Sequence, residues 1–129
     1  MKNIFFALIN LFLLTSCAND DKGSDNCLSY SESYVDTVEA IENADAVGFL
    51  YKVNFYVGNG CGGFGSFEET VDGNTITIKL IAKYEGCICT QAIEPRDVVY
   101  GFNPTTPGIY TLRFQNTEDT FITKTITLE

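Results

Sequence analysis

Val47-Gly48-Phe49-Leu50-Tyr51-Lys52-Val53-Asn54-Phe55-Tyr56-Val57 is the stretch that decides the fold. Val47, Phe49, Tyr51, Val53, Phe55 and Val57 alternate with Gly48, Leu50, Lys52, Asn54 and Tyr56. Successive side chains of an extended strand leave on opposite faces, so a period of two marks a strand and not a helix. The strand presents one strongly apolar face, and that face has to be covered.

The same period recurs further along the chain. Ile76, Ile78, Leu80, Ala82 and Tyr84 alternate with Thr75, Thr77, Lys79, Ile81 and Lys83. Val71-Asp72-Gly73-Asn74 just before them carries the Asp-Gly signal of a tight hairpin, because Gly tolerates a positive φ. Val98, Tyr100 and Phe102 form another inward row, as do Tyr110, Leu112 and Phe114. Ile122, Ile126 and Leu128 close the chain, with Lys124 on the same face as the mark of an edge position or a bulge. Tyr34 to Ile41 is a weaker strand, and Phe64 to Val71 has no clear phase. Glu39 to Ala46 reads alternatively as a short helical turn. About seven short strands without a useful helix predict an all-β antiparallel sandwich, since two packed sheets cover each other's apolar faces.

Asn103-Pro104-Thr105-Thr106-Pro107-Gly108-Ile109-Tyr110 sharpens this expectation. The prolines and Gly force a turn, after which Tyr110 opens the penultimate strand. The arrangement resembles the tyrosine corner of immunoglobulin-like sandwiches, which implies that the Tyr110 hydroxyl bonds back to upstream backbone.

The N-terminus reads as an address. Lys2 precedes an apolar run from Ile4 to Leu14 broken only by Asn10. A bilayer span needs about 20 apolar residues, whereas the core of an export signal needs about 7–15. Leu14-Thr15-Ser16-Cys17 then resembles the lipobox of bacterial lipoproteins. That resemblance implies a signal peptide over residues 1–16 that is cleaved, and a lipidated Cys17 that anchors the chain in the outer membrane. Residues 17–33 are expected as a flexible acidic tether, and residues 34–129 as the β-sandwich domain. Asp20 and Asp21 behind Cys17 resemble the surface-export signal of Bacteroidota lipoproteins, which leaves cell-surface display and the periplasmic face both open. Lipobox, acidic tether and β domain together resemble small Bacteroidota envelope lipoproteins with an immunoglobulin-like domain.

Charge narrows the partners. There are 17 Asp and Glu against 8 Lys and Arg, a formal net charge of −9. Nucleic-acid binding relies on basic side chains that neutralise phosphates, so no nucleic-acid partner is expected. Electrostatic attraction to anionic lipid is likewise excluded, and membrane attachment falls to the lipid on Cys17. The chain has no His, the residue that most often serves as general base or metal ligand. No calcium-loop pattern occurs, and neighbours in a strand such as Glu68 and Glu69 point to opposite faces, so they do not form a paired-carboxylate site. No enzyme, cofactor or metal is expected.

Cys17 aside, Cys27, Cys61, Cys87 and Cys89 remain. Export to an oxidising compartment favours two disulfides from an even set. Cys87 with Cys89 would close a very small strained ring, so Cys61 is expected to pair with one of them and Cys27 with the other. The alternative is a thiol-redox or soft-metal role for Cys61, Cys87 and Cys89, although neither Met nor a helix N-terminus supports it.

Gly58-Asn59-Gly60-Cys61-Gly62-Gly63 matches a dinucleotide-binding Gly pattern after a strand, but no helix follows to meet a pyrophosphate. It reads as a Gly loop shaped by the Cys61 disulfide and free to project. Gly60-Cys61-Gly62-Gly63 and Asn103-Pro104-Thr105-Thr106 also look like fragments of chagasin-type cysteine-protease inhibitors, though in reversed order and without the Trp loop. Asp36-Thr37-Val38 resembles the O-glycosylation sequon of Bacteroidota. The expected function is a lipid-anchored binding module for a protein or glycan partner. Its expected contact loops comprise Gly58, Asn59, Gly60, Gly62, Gly63 and Phe64 on one side and Asn103, Thr105 and Thr106 on the other.

Overall fold

The computed structural model describes residues 27–42 and 48–129, which form eight strands and no helix. The expected signal peptide, Cys17 and the first part of the tether lie outside the described residues. The strands are β1 (Leu28–Ser33), β2 (Val35–Ile41), β3 (Phe49–Val57), β4 (Gly62–Asp72), β5 (Thr75–Glu85), β6 (Glu94–Phe102), β7 (Gly108–Gln115) and β8 (Phe121–Leu128). They form a five-stranded and a three-stranded sheet packed as a β-sandwich.

The small sheet runs β2-β3-β6, with β3 central and its apolar row turned inward. The large sheet is built on β5. β4 pairs along one edge of β5 from Asp72↔Thr75 to Gly62↔Tyr84. The other edge is shared. β1 takes Leu80 to Glu85, and β7 takes Thr75 to Ile78. The β5–β7 pair is parallel, the one departure from the antiparallel pattern expected of every pair. Among the described residues β8 pairs only with β7 and forms an edge, which accounts for Lys124 on its inner side.

β1 and β2 form one nearly continuous run that crosses from the large sheet to the small one at Tyr34. Strand β1 corrects the expected tether, since residues 28–33 belong to the sheet. Its polar, exposed face hid it from a hydrophobic reading. It is held by backbone pairing to β5 and by Cys27, not by burial. The alternative helical turn from Glu39 is corrected as well, because residues 39–41 continue β2, and residues 43–47 lie outside the described residues.

Two irregularities explain the weak sequence signals. The register shifts between Val35 and Thr37 in β2. It shifts again between Phe64 and Ser66 in β4, where Gly65 is the extra residue. A bulge inverts the in-out phase beyond it, so neither strand alternates cleanly in sequence.

Val35, Val53, Phe55, Val57, Ile78, Leu80, Leu112 and Phe114 are fully buried between the sheets. A ladder of rings crosses this core. Phe67 meets Tyr100 edge-on at 5.1 Å, Tyr100 meets Phe114 at 5.2 Å, and Phe114 meets Tyr51 at 6.1 Å. Such tilted contacts set the positive ring edge against a negative face. The Tyr100 hydroxyl leaves the core and donates to Glu69 Oε1 at 2.6 Å, latching β6 of one sheet to β4 of the other.

Candidate functional site

The cysteines gather at one end of the sandwich. Cys27 is bonded to Cys87 and Cys61 to Cys89, so each bridge takes one of the adjacent pair, as expected. Two disulfides belong to an oxidising, extracytoplasmic compartment. They clamp the β5–β6 loop, residues 86–93, against the start of β1 and against the β3–β4 turn. Backbone bonds reinforce the clamp: Gly60 N–H donates to the Thr90 carbonyl at 2.8 Å, and Gly86 N–H to the Cys27 carbonyl at 2.9 Å. A thiol-exchange or soft-metal role would have to begin by opening one of these bridges.

The expected projecting Gly loop is corrected here. Strand β4 already begins at Gly62, so the turn is only Gly58-Asn59-Gly60-Cys61. Gly58 N–H donates to the Tyr84 hydroxyl at 2.8 Å, and Cys61 N–H to Asn59 Oδ1 at 2.9 Å. Gly62 is buried, and a Cβ there would sit 2.5 Å from Val57 Cβ and 2.7 Å from the Tyr84 ring. Its glycine permits close packing of β4 on β3, which is the opposite of a free loop. Gly63 has open space above it, and Phe64 stacks near Phe67 at 4.8 Å.

Asn103, Thr105 and Thr106 lie at the far end. β6 runs antiparallel to β3, so Phe102 pairs with Phe49 while Glu94 pairs with Val57. The two groups of expected contact loops are therefore separated by the length of the sandwich and cannot form one surface or one inhibitor-like wedge. The Tyr110 hydroxyl donates to the Thr106 carbonyl, the tyrosine-corner bond. The Tyr110 ring packs on Phe102 at 5.4 Å. The β4–β5 hairpin closes the same end: Gly73 sits at φ 59° in the first turn position, and Asn74 Nδ2 donates to the Ile109 carbonyl at 3.1 Å.

A third region was not expected from the sequence. Where β1 gives way to β7 along β5, an open cleft of about 340 Å³ is lined by Glu32, Tyr34, Asp36, Tyr56, Tyr84 and Asn116, among others. Tyr34 and Tyr56 are 44% and 49% exposed. Tyr84 is held by its bond from Gly58, and Ser33 Oγ donates to the Tyr56 carbonyl at 2.8 Å, so β1 and β3 fix the cleft walls. The one sequence clue is Tyr56, a large aromatic in the outward phase of β3. Among the described residues, no three Cys, Asp or Glu side chains converge as a metal-binding group. Thr37 of the glycosylation-like triplet is exposed on β2.

A family model described as the ORF11 beta-sandwich domain matches residues 51–128, more than half of the 129-residue chain. The chain belongs to this family. The matched span runs from within β3 through β8 and includes Cys61, Cys87 and Cys89, while β1, β2 and Cys27 precede it. No curated protein and no solved structure matches the chain.

Proposed function

We propose that this member of the ORF11 beta-sandwich family is a lipid-anchored, non-catalytic binding module of the outer membrane that takes a glycan in the Tyr34–Tyr56–Tyr84 cleft. The cleft carries the reading. Ligand sites combine apolar, often aromatic walls with a few polar groups that fix orientation. Sugars offer C–H faces to tyrosine rings and hydroxyls to carboxylates and amides, and Glu32, Asp36 and Asn116 supply those acceptors and donors. The two carboxylates and the formal charge of −9 favour a neutral or amino-bearing sugar over an acidic one. The lipobox-like Leu14-Thr15-Ser16-Cys17 supports the anchor, and the two disulfides agree with an extracytoplasmic site of action.

A glycan array probed with the lipidated protein in detergent micelles tests this. Binding to neutral or amino sugars is expected, with the bound glycan recovered intact by mass spectrometry. Tyr34→Ala and Tyr56→Ala each weaken it about tenfold, the equivalent of about 1.4 kcal/mol. Absence of glycan binding, or binding that both variants retain in full, overturns the assignment of the cleft. Recovery of a cleaved glycan overturns the non-catalytic reading.

A further inference from the structure

The disulfide end differs from the rest of the surface in four ways, and together they indicate what it faces. First, its clamped loops carry no charged side chain, the nearest unpaired carboxylates at this end being Glu118 and Asp119 on the β7–β8 turn. The chain has no charged residue from Val53 through Phe67 or from Gly86 through Ile93, although its net charge is −9. The carboxylates flanking residues 86–93 are ion-paired, Glu85 with Lys83 at 3.5 Å and Glu94 with Arg96 at 2.8 Å. Second, it carries the two most exposed large apolar side chains among the described residues, although Val71 and Ile109 are 65% and 63% exposed at the far end. Ile88 is 97% exposed and Ile93 75% exposed, with Leu28 exposed beside Cys27. Third, this display is rigid, because Ile88 stands between Cys87 and Cys89 and both flanking residues are bridged to other segments. Fourth, Cys27 belongs to this end, and only nine residues separate it from Cys17. Ten peptide units reach at most about 35 Å, so a lipid on Cys17 keeps this end close to the bilayer.

We propose that the disulfide-clamped end docks on the headgroup–acyl boundary of the membrane that holds Cys17, with Ile88 as the inserted tip. The proposal rests on the lipid-anchor reading. An acidic protein is repelled by anionic headgroups unless the surface it presents is neutral. The uncharged loops around Ile88 meet that condition. The opposite end does not, since Glu42, Asp72 and Glu129 are exposed there. Clamping by the two bridges means that little conformational freedom is lost on docking. A docked sandwich stands with its tyrosine-corner end outward and its cleft on the flank, open to a ligand.

The chain lacks Trp, so Ile88→Trp introduces a single reporter, and its almost complete exposure leaves the core untouched. Thr105→Trp reports on the far end. β5 alone has 11 residues and spans about 35 Å. The lipidated full-length products are reconstituted into phosphatidylethanolamine vesicles containing dibromo-phosphatidylcholine. Interfacial side chains sit about 5–10 Å into the boundary region, so the Ile88→Trp reporter is expected to lose about half its emission or more. The Thr105→Trp reporter keeps nearly all of its emission. Adding Ile88→Asp to an Ile93→Trp reporter releases the quenching there.

Mass spectrometry of the N-terminal peptide separates the two premises. An unacylated Cys17 overturns the anchor reading and the docking with it. An acylated Cys17 with equal quenching at both reporters overturns the docking alone. An Ile88→Trp reporter that is blue-shifted in native outer membranes but unquenched by brominated lipid assigns the tip to a protein partner, and also overturns it.

Discussion

At one end of this sandwich the loops are closed covalently, and at the other by hydrogen bonds. The Gly58–Cys61 turn, residues 86–93 and the start of β1 are drawn together by Cys27–Cys87 and Cys61–Cys89. The Asn103–Gly108 turn and the Gly73-Asn74 hairpin are joined by the Tyr110 hydroxyl and by Asn74. The difference follows from what each loop contains. Residues 86–93 include no aromatic side chain, and Ile88 and Ile93 face outward, so the segment has little to bury. Cross-links order it instead. The far turn has Pro104 and Pro107 to restrict its backbone and Tyr110 to pack on Phe102, so burial and a hydrogen bond suffice.

The largest expected effect breaks the covalent end. The bridges span sequence separations of 60 and 28 residues. In the chain-entropy model each contributes about 4 kcal/mol. Together they rival the whole stability of a small domain, about 5–15 kcal/mol. Replacing all four cysteines by Ser is expected to leave the chain unfolded at 37 °C, as read by circular dichroism. A melting point within a few degrees of the parent would show that the cross-links are ornamental.

A smaller test uses neighbours at the same end. Gly62→Ala drives a methyl into Val57 and Tyr84, an overpacking expected to cost about 1–3 kcal/mol. Gly63→Ala meets nothing within 4 Å and stays within about 0.5 kcal/mol of the parent. Denaturant titration of both variants checks whether Gly62 is a packing residue; equal midpoints would return it to the role of a flexible hinge.

Midway between the ends, the Tyr100–Glu69 latch predicts a pH dependence. Burial raises the Tyr100 phenol pKa well above its ordinary value, and the hydrogen bond and charge of Glu69 raise it further. Burial alone raises Tyr51. An unfolded tyrosine ionises from about pH 10, while both of these hold their protons to higher pH in the fold. Their contribution is therefore complete below pH 10 and is lost as the pH climbs above it, by up to about 1.4 kcal/mol per unit for each group. Tyr100→Phe costs about 1.5 kcal/mol at neutral pH and flattens the alkaline decline. An unchanged slope between pH 10 and 11 would contradict the latch.

The smallest effect belongs to the far end. Tyr110→Phe keeps the ring on Phe102 and removes only the bond to Thr106, at a cost of about 1 kcal/mol. Faster hydrogen exchange confined to the Asn103–Gly108 turn, with the disulfide end unaffected, would confirm that the two ends are fastened independently.

Much of the fold was legible because period-two burial is a local property. The inward rows of β3, β5, β6, β7 and β8 appear in the sequence as they appear in the core. β1 and β4 were obscure for separate reasons. β1 is held by pairing and a disulfide, so its side chains needed no apolar rhythm. β4 changes phase at Gly65. The Gly turn reads as a free loop because a glycine that allows contact and a glycine that allows motion look alike in sequence. The cleft was nearly invisible, since Tyr34, Tyr56, Tyr84 and Asn116 lie on four segments that meet only when β1 and β7 share one edge of β5.

By itself the sequence determined the all-β class, the tyrosine corner and the rule that Cys27 and Cys61 each take one of Cys87 and Cys89. The class follows from alternation, the corner from a turn that resembles a known motif, and the cysteine rule from ring strain once export makes disulfides expected. Only the tertiary structure decided which cysteine takes which partner, the parallel β5–β7 pair, the separation of the two loop groups and the existence of the cleft. Those depend on long-range register, which is set by how two whole sheets pack and by no single segment of the chain.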